Sequence, residues 1–206
     1  MIEFWTNPMS RGQIAHWMLE ELGQPYTTHW LDWGPGGNKS SDFLAVNPMG
    51  KVPTIRHEGK VVTEAAAICL YLADAFPQAK LRPDGAALAD YYRYVLFAAG
   101  PMEQAVTARA MAWAVPEGRE GMAGFGTFDA SVSALEQMLT GRDYVCGKVF
   151  TAADVYVGST VDWGLGFKSI PSRPAFEAYA ERVRARPAYK AAKAINDARI
   201  AATQKA

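Results

Sequence analysis

Cysteine is nearly missing from this chain: Cys69 and Cys146 are the only two among 206 residues. They are too far apart to form a CxxC redox pair, and they make no zinc-ligand set. A disulfide-stapled scaffold is excluded as well, because the chain is long and poor in thiols. Charge imbalance is also lacking. Twenty-one basic side chains face 21 acidic ones, which argues against nucleic acid or an anionic membrane as the main partner. No apolar run approaches the roughly 18–20 residues that a spanning helix needs; the alanine-rich stretch Ala65-Ala66-Ala67 is interrupted at Asp74. Met1 to Trp5 carries an acid and has neither a basic nor an extended apolar region, so it does not read as a signal peptide. The expected location is cytoplasmic. What is present is ordinary globular composition, 50% apolar and 20% charged, which suits one large domain or two small ones.

The pattern changes near residue 77. Before it, Ile2-Glu3-Phe4-Trp5 alternates as a strand and Asn7-Pro8 breaks it. From Ser10, apolar Ile14, Met18 and Leu22 recur every fourth residue as in a helix, which Gly23 ends. Tyr26 to Leu31 reads as a second strand, and a short helix is expected around Ser41 to Leu44. Val52 to Ile55 and Lys60 to Val62 flank the turn His57-Glu58-Gly59 as a hairpin, and Glu64 to Phe76 closes the set as a helix. The order is βαβαββα, two parallel strands with a crossover helix followed by an antiparallel hairpin.

Beyond a linker over residues 78–84 the strand signals fade. Helices are expected over Ala86 to Trp113 (bent near Gly100-Pro101), Phe128 to Leu139, Ala152 to Val161, Ala175 to Arg186 and Ala188 to Ala201. Thr151 to Asp154 has the spacing of a capping box, a folding signal rather than a catalytic one. The fold class is therefore two-domain, with a mixed α+β domain over 1–77 and an all-helical domain over 85–206.

Pro53 is out of place in a strand, because proline cannot donate to a ladder. An edge-strand trans proline satisfies this. So does a cis proline whose preceding amide and carbonyl turn outward to pair with an extended peptide. The surrounding residues read Asn47-Pro48-Met49-Gly50-Lys51-Val52-Pro53-Thr54, followed by Thr63-Glu64-Ala65-Ala66-Ala67-Ile68 and Tyr71-Leu72. This pair resembles the N-P-x-G-K-V-P and T-E-S-x-A-I-x-x-Y-L signatures of the glutathione S-transferases. Phe150 to Asp154 resembles the capping motif of that family's helical domain, and Arg186-Pro187-Ala188-Tyr189 resembles its late helix boundary. Four motifs in order cover the whole chain.

The resemblance, to serine-type cytosolic bacterial members, implies a thioredoxin-like first domain with a cis Pro53, and glutathione as co-substrate without a metal. Glutathione is an anionic tripeptide whose thiol is mostly protonated at neutral pH. A transferase must hold it as a thiolate that attacks an electrophile. By resemblance, Ser10 at the start of the first helix donates the hydrogen bond, and the helix N-terminus supplies positive potential. Thr6, Asn7 or a backbone amide remain alternative donors. Ser10 with Gln13 also fits a capping box. No tyrosine follows the first strand and no cysteine lies near Ser10, which disfavours the tyrosine-type and mixed-disulfide mechanisms. Both cysteines read as packed thiols.

The same resemblance implies that Val52 pairs through its backbone with the cysteinyl unit, beside Pro53. Glu64 would meet the γ-glutamyl ammonium, with that end's carboxylate at the third helix's N-terminus. Ala65 stands where the family commonly has serine, so one neutral hydrogen bond, worth about 1 kcal/mol, is lost while the backbone amide remains. Lys51 would pair with the glycyl carboxylate; Lys39 is a second candidate for it, and also reads as a solvated loop lysine. Met9, Met102, Met111, Trp113, Phe125 and Trp163 are the candidates for a site taking a small hydrophobic electrophile. The expected partners are thus glutathione and that electrophile, in a homodimer, with neither nucleic acid nor membrane. A glutathione-dependent peroxidase, isomerase or ether-cleaving lyase would use the same site, and a non-catalytic binding protein would keep the same fold.

Overall fold

The computed structural model describes residues 1–204, in which the chain forms two compact units. The first comprises Met1–Lys80 and the residues from Ala185 on; the second is Leu81–Arg184.

The first unit opens with strand β1 (Ile2–Thr6), helix α1 (Gly12–Leu22), strand β2 (Tyr26–Trp30) and helix α2 (Ser41–Val46). It continues through strands β3 (Thr54–His57) and β4 (Lys60–Thr63) to helix α3 (Ala65–Ala75). The strands form one mixed sheet in the order β2-β1-β3-β4. β1 runs parallel to β2 and antiparallel to β3, and β3 and β4 form the hairpin. Its turn, Glu58-Gly59, has positive φ at both residues (50° and 76°), the backbone that matches the twist of a two-residue hairpin. Alternation along β1 puts Phe4 on the α1 side, where its ring meets His16 edge-on. Ile2, Phe4, Ile14, Met18, Leu19, Ile55, Ile68 and Leu72 are buried there. His57 on β3 bonds the Tyr71 hydroxyl on α3 at 2.9 Å, which seats α3 on the hairpin.

Two local boundaries and one cap differ from the sequence reading. α1 begins at Gly12 rather than Ser10, because the chain first turns through Asn7, whose side-chain oxygen accepts the Met9 amide. Gln13 reaches back to the Pro8 carbonyl at 2.6 Å, so no Ser10–Gln13 capping box forms. β3 begins at Thr54, leaving Val52 and Pro53 just outside the ladder, where a missing amide costs it nothing.

The second unit is helical: α4 (Ala87–Phe97), α5 (Glu103–Ala110), α6 (Phe128–Leu139), α7 (Ala152–Gly166) and α8 (Pro174–Arg184). The single bent helix expected over Ala86 to Trp113 is in fact α4 and α5 joined by a π-helical turn over Ala98–Met102 containing Pro101. It ends early because Ala112 takes a left-handed φ of 53° and the Trp113 amide returns to the Ala108 carbonyl. α7 runs past Val161 to Gly166. Gly164 is accommodated within it because a Cβ there would lie 2.7 Å from Ile170.

The last helix, α9 (Pro187–Thr203), was expected within the helical domain; it groups instead with the first unit. Arg186, just before it, forms a two-pronged pair with Glu21 of α1 at 2.6 and 2.7 Å. Tyr189 packs edge-on against Trp17, and Arg199 lies over the Trp30 ring. Amphipathicity shows that such a helix packs, but not against what.

Candidate active site

The strand register brings the candidate residues to one end of the first unit's sheet. Thr6 pairs with Trp30 in parallel, so β1 and β2 both leave the sheet at that end. Trp5 pairs with Thr54 and Thr54 with Thr63 in antiparallel, so β3 enters there and β4 leaves there. The loops carrying Ser10, Lys39, Val52-Pro53 and Glu64 therefore border a single rim. It is the carboxyl end of the parallel strands, the usual ligand side of such sheets.

Ser10 sits in the turn that delivers the chain into α1. Its hydroxyl accepts the Gly12 amide at 2.9 Å and donates to the Asn7 carbonyl at 2.7 Å. Asn7 is fully engaged: its amide nitrogen donates to the Leu31 carbonyl while its oxygen holds the Met9 amide. Thr6 is buried beneath the turn, its hydroxyl without a partner. Neither α1 nor α3 has an acidic residue in its first turn, so the partial positive charge of both N-termini stays available to an anion.

The Val52–Pro53 bond is cis. Among the described residues the Val52 amide and carbonyl have no backbone partner. The preceding loop is fixed by Asn47, whose side chain holds the Met49 amide, the Lys51 carbonyl and the Thr54 hydroxyl. Asn38 ties the neighbouring loop to it through the Gly50 carbonyl at 2.9 Å. Lys39 reaches the Met49 carbonyl at 3.0 Å, which brings its ammonium to the exposed loop that carries Lys51. Gly50 is required here, with a φ of 58° and the Asn38 carbonyl 2.6 Å from where a Cβ would stand.

Glu64 caps α3 with φ 65°, ψ 118°, a backbone that costs a non-glycine residue energy and tends to cluster at ligand clamps. Ala65 behind it is buried, and its methyl offers no hydrogen bond. Burial pushes the Cys69 thiol far above its ordinary range, and it pushes the half-buried Cys146 up to about 11. Both sulfurs are protonated at neutral pH. Among the described residues, no three His, Cys, Asp or Glu side chains gather as metal ligands would. Nor is any helix among them long and apolar enough to cross a membrane.

The candidates for the electrophile fall in both units. Met9 is exposed at the rim of the first. In the second, Met111 and Trp113 are exposed after α5, and Phe125 and Trp163 are half-buried. Met102 is fully buried in the core of that unit and has no surface to present to a ligand.

Sequence reasoning missed Asn38, Gly12 and Gly50, and it offered Thr6 only as a possible donor. One signal was available: Asn-Pro-Met occurs twice, at 7–9 and 47–49. Both copies form the same asparagine turn at the same rim.

An unpaired amide and carbonyl at Val52, two helices without an acid in their first turn, a helix-start hydroxyl and a strained acid define a thioredoxin-like first unit whose rim suits a small anionic peptide. The comparisons sharpen this. Glutathione S-transferase, N-terminal domain, matches residues 9–75, and Glutathione S-transferase, C-terminal domain, matches residues 89–187. Glutathione S-transferase A of Pleuronectes platessa is 30% identical over 185 residues, spanning 84% of this chain and 82% of that protein. The crystal structure of a glutathione transferase from Methylococcus capsulatus superposes with a TM-score of 0.79 at 27% identity, over 96% of this chain and 99% of that one. A sphingomonad glutathione S-transferase complexed with glutathione gives 0.76 at 27% identity, over 95% and 98%. The chain belongs to the glutathione S-transferase family.

Proposed function

We propose that this transferase uses Ser10 to hold the glutathione thiolate and direct it at an apolar electrophile. The observation that carries the reading is the single rim of the first unit's sheet that Ser10, Val52, Glu64 and the N-termini of α1 and α3 share. A peptide lying along Val52 pairs with its open amide and carbonyl as an added strand. The γ-glutamyl carboxylate meets the Ala65 amide and the N-terminus of α3, and its ammonium meets Glu64. The glycyl carboxylate lies toward Lys51 and Lys39. With the tripeptide so anchored, the sulfur falls at the start of α1. There Ser10 keeps its bond from the Gly12 amide and turns its proton from the Asn7 carbonyl to the sulfur. A thiolate held this way is charged at neutral pH yet only partly hydrated, the state a nucleophile needs.

Met9, exposed next to Ser10 at the rim of the first unit, favours an apolar electrophile. Family membership supports conjugation rather than peroxidase, isomerase or lyase chemistry, and also a cytoplasmic homodimer. The test is Ser10→Ala with an aryl halide as electrophile. The conjugation rate falls by roughly a hundredfold or more, as for loss of one preorganised donor, while glutathione affinity changes only a few-fold. An unchanged rate moves the thiolate-holding role off Ser10.

A further inference from the structure

The Thr6 hydroxyl is fully buried and makes no hydrogen bond. Native interiors rarely leave a buried hydroxyl unpaired, and one that is left so calls for a reason. Its surroundings are specific. The point a Cβ on Gly12 would occupy lies 1.9 Å from the Thr6 hydroxyl oxygen and 2.9 Å from that of Ser10. The two oxygens are thus no further apart than the sum of those distances, with no side chain at Gly12 to separate them.

Hydrogen-bond capacity gives the gap a purpose. A serine hydroxyl donates once and accepts twice. In the structure Ser10 donates to Asn7 and accepts from Gly12, which leaves one lone pair unused and the Thr6 proton without an acceptor. We propose that Thr6 is a positioning residue for the thiolate-holding serine: when Ser10 turns toward a bound thiolate, Thr6 donates to it. Ser10 then accepts from both the Gly12 amide and the Thr6 hydroxyl and donates its proton to sulfur. In that state both hydroxyls are paired, and the Asn7 carbonyl gives up its bond from Ser10 in exchange. The chain Thr6 O–H to Ser10 O–H to S⁻ polarises the serine and makes it a stronger donor to the anion. The free protein bears an unpaired buried hydroxyl so that the thiolate complex has none. This rests on Ser10 being the thiolate holder.

The experiment is an ultraviolet titration of the glutathione thiolate bound to wild type, Thr6→Val, Thr6→Ser and Ser10→Ala, with thermal denaturation of each free protein. Valine keeps the shape and removes the hydroxyl. Thr6→Val is expected to raise the apparent pKa of the bound thiol by about half to one unit, a roughly three- to tenfold loss of thiolate near neutrality. Its free form melts no lower than wild type, because an orphaned hydroxyl has gone. Thr6→Ser restores the wild-type thiol pKa. If Ser10→Ala raises the thiol pKa and Thr6→Val leaves it at the wild-type value, the relay is wrong and the Ser10 reading stands. If Ser10→Ala also leaves it unchanged, the reading beneath it fails too. A bound-thiol pKa raised equally by Thr6→Val and Thr6→Ser would mark a packing effect and overturn the relay.

Discussion

Gly12 shows how much the site depends on one missing carbon. Replacing a first-turn helical glycine by alanine ordinarily stabilises a helix by up to about 1 kcal/mol. Here the new methyl would stand 1.9 Å from the Thr6 hydroxyl and 3.1 Å from its Cβ, on a side chain with no room to withdraw. Overlap of that depth outweighs the propensity gain, and overpacking of a buried site costs about 1–3 kcal/mol. Gly12→Ala is expected to lower denaturant stability by that order and to weaken glutathione binding, since Ser10 and the start of α1 must move. The double variant Gly12→Ala, Thr6→Ala removes the opposing hydroxyl and recovers most of the stability. Strictly additive losses in that cycle would place the clash elsewhere. This contact also marks what the sequence could not disclose. Ser10, Pro53 and Glu64 are legible because each lies in a contiguous motif with its own chemistry. The meeting of residues 6 and 12 depends on how tightly a strand end turns into a helix, and that tightness comes from the Asn7 side chain rather than from any periodicity.

At the scale of an element, α7 shows a motif whose reading and structure agree. The Asp154 carboxylate accepts the Thr151 amide at 2.9 Å, the Val145 amide at 2.8 Å and the Tyr179 hydroxyl at 2.8 Å. The first is the capping bond that the spacing implied. The other two hold the preceding loop and α8, partners distant in sequence that local pattern does not name. All of it is buried. Asp154→Ala strips an acceptor from four donors, of which only the Thr151 hydroxyl keeps another, the Cys146 sulfur. Each of the other three costs about 1 kcal/mol or more, so a loss of roughly 3 kcal/mol or more in denaturant stability is expected. Asp154→Asn keeps one acceptor oxygen and should fall between the two proteins. A variant indistinguishable from wild type would mean that water replaces the carboxylate. α9 is the opposite case: its amphipathic pattern was legible, but its place was not. The Arg186–Glu21 pair and the Tyr189–Trp17 contact join residues more than 150 positions apart in the chain, and neither partner carries a local signature of the other.

At the scale of the whole molecule, acid acts on the two units with opposite sign. In the first, burial lowers His16 below its ordinary 6.5, only partly offset by Asn196 and the Glu20 carboxylate. Its ring nitrogen Nε2 lies 2.9 Å from the Tyr26 hydroxyl, which donates its own proton to Glu20. Nε2 therefore carries a hydrogen in the neutral ring, and the buried Nδ1 makes no hydrogen bond. Below pH 6.5 the unfolded chain takes up a proton at His16 that the folded unit resists, so this contribution to stability is lost as pH falls. In the second unit, burial pushes Asp154 from 3.8 up to about 6. The folded unit then accepts a proton before the unfolded chain does. Between about 6 and 3.8 its stability therefore rises as pH falls. Hydrogen exchange near pH 7 and near pH 5, corrected for the intrinsic rate, is expected to show protection falling in α1, β2 and α9. Protection in α7 and α8 should hold or increase over the same range. Uniform loss across both units, or loss first in α7 and α8, would contradict this assignment of buried charge. His16→Phe removes the titrating group and should flatten the profile of the first unit alone.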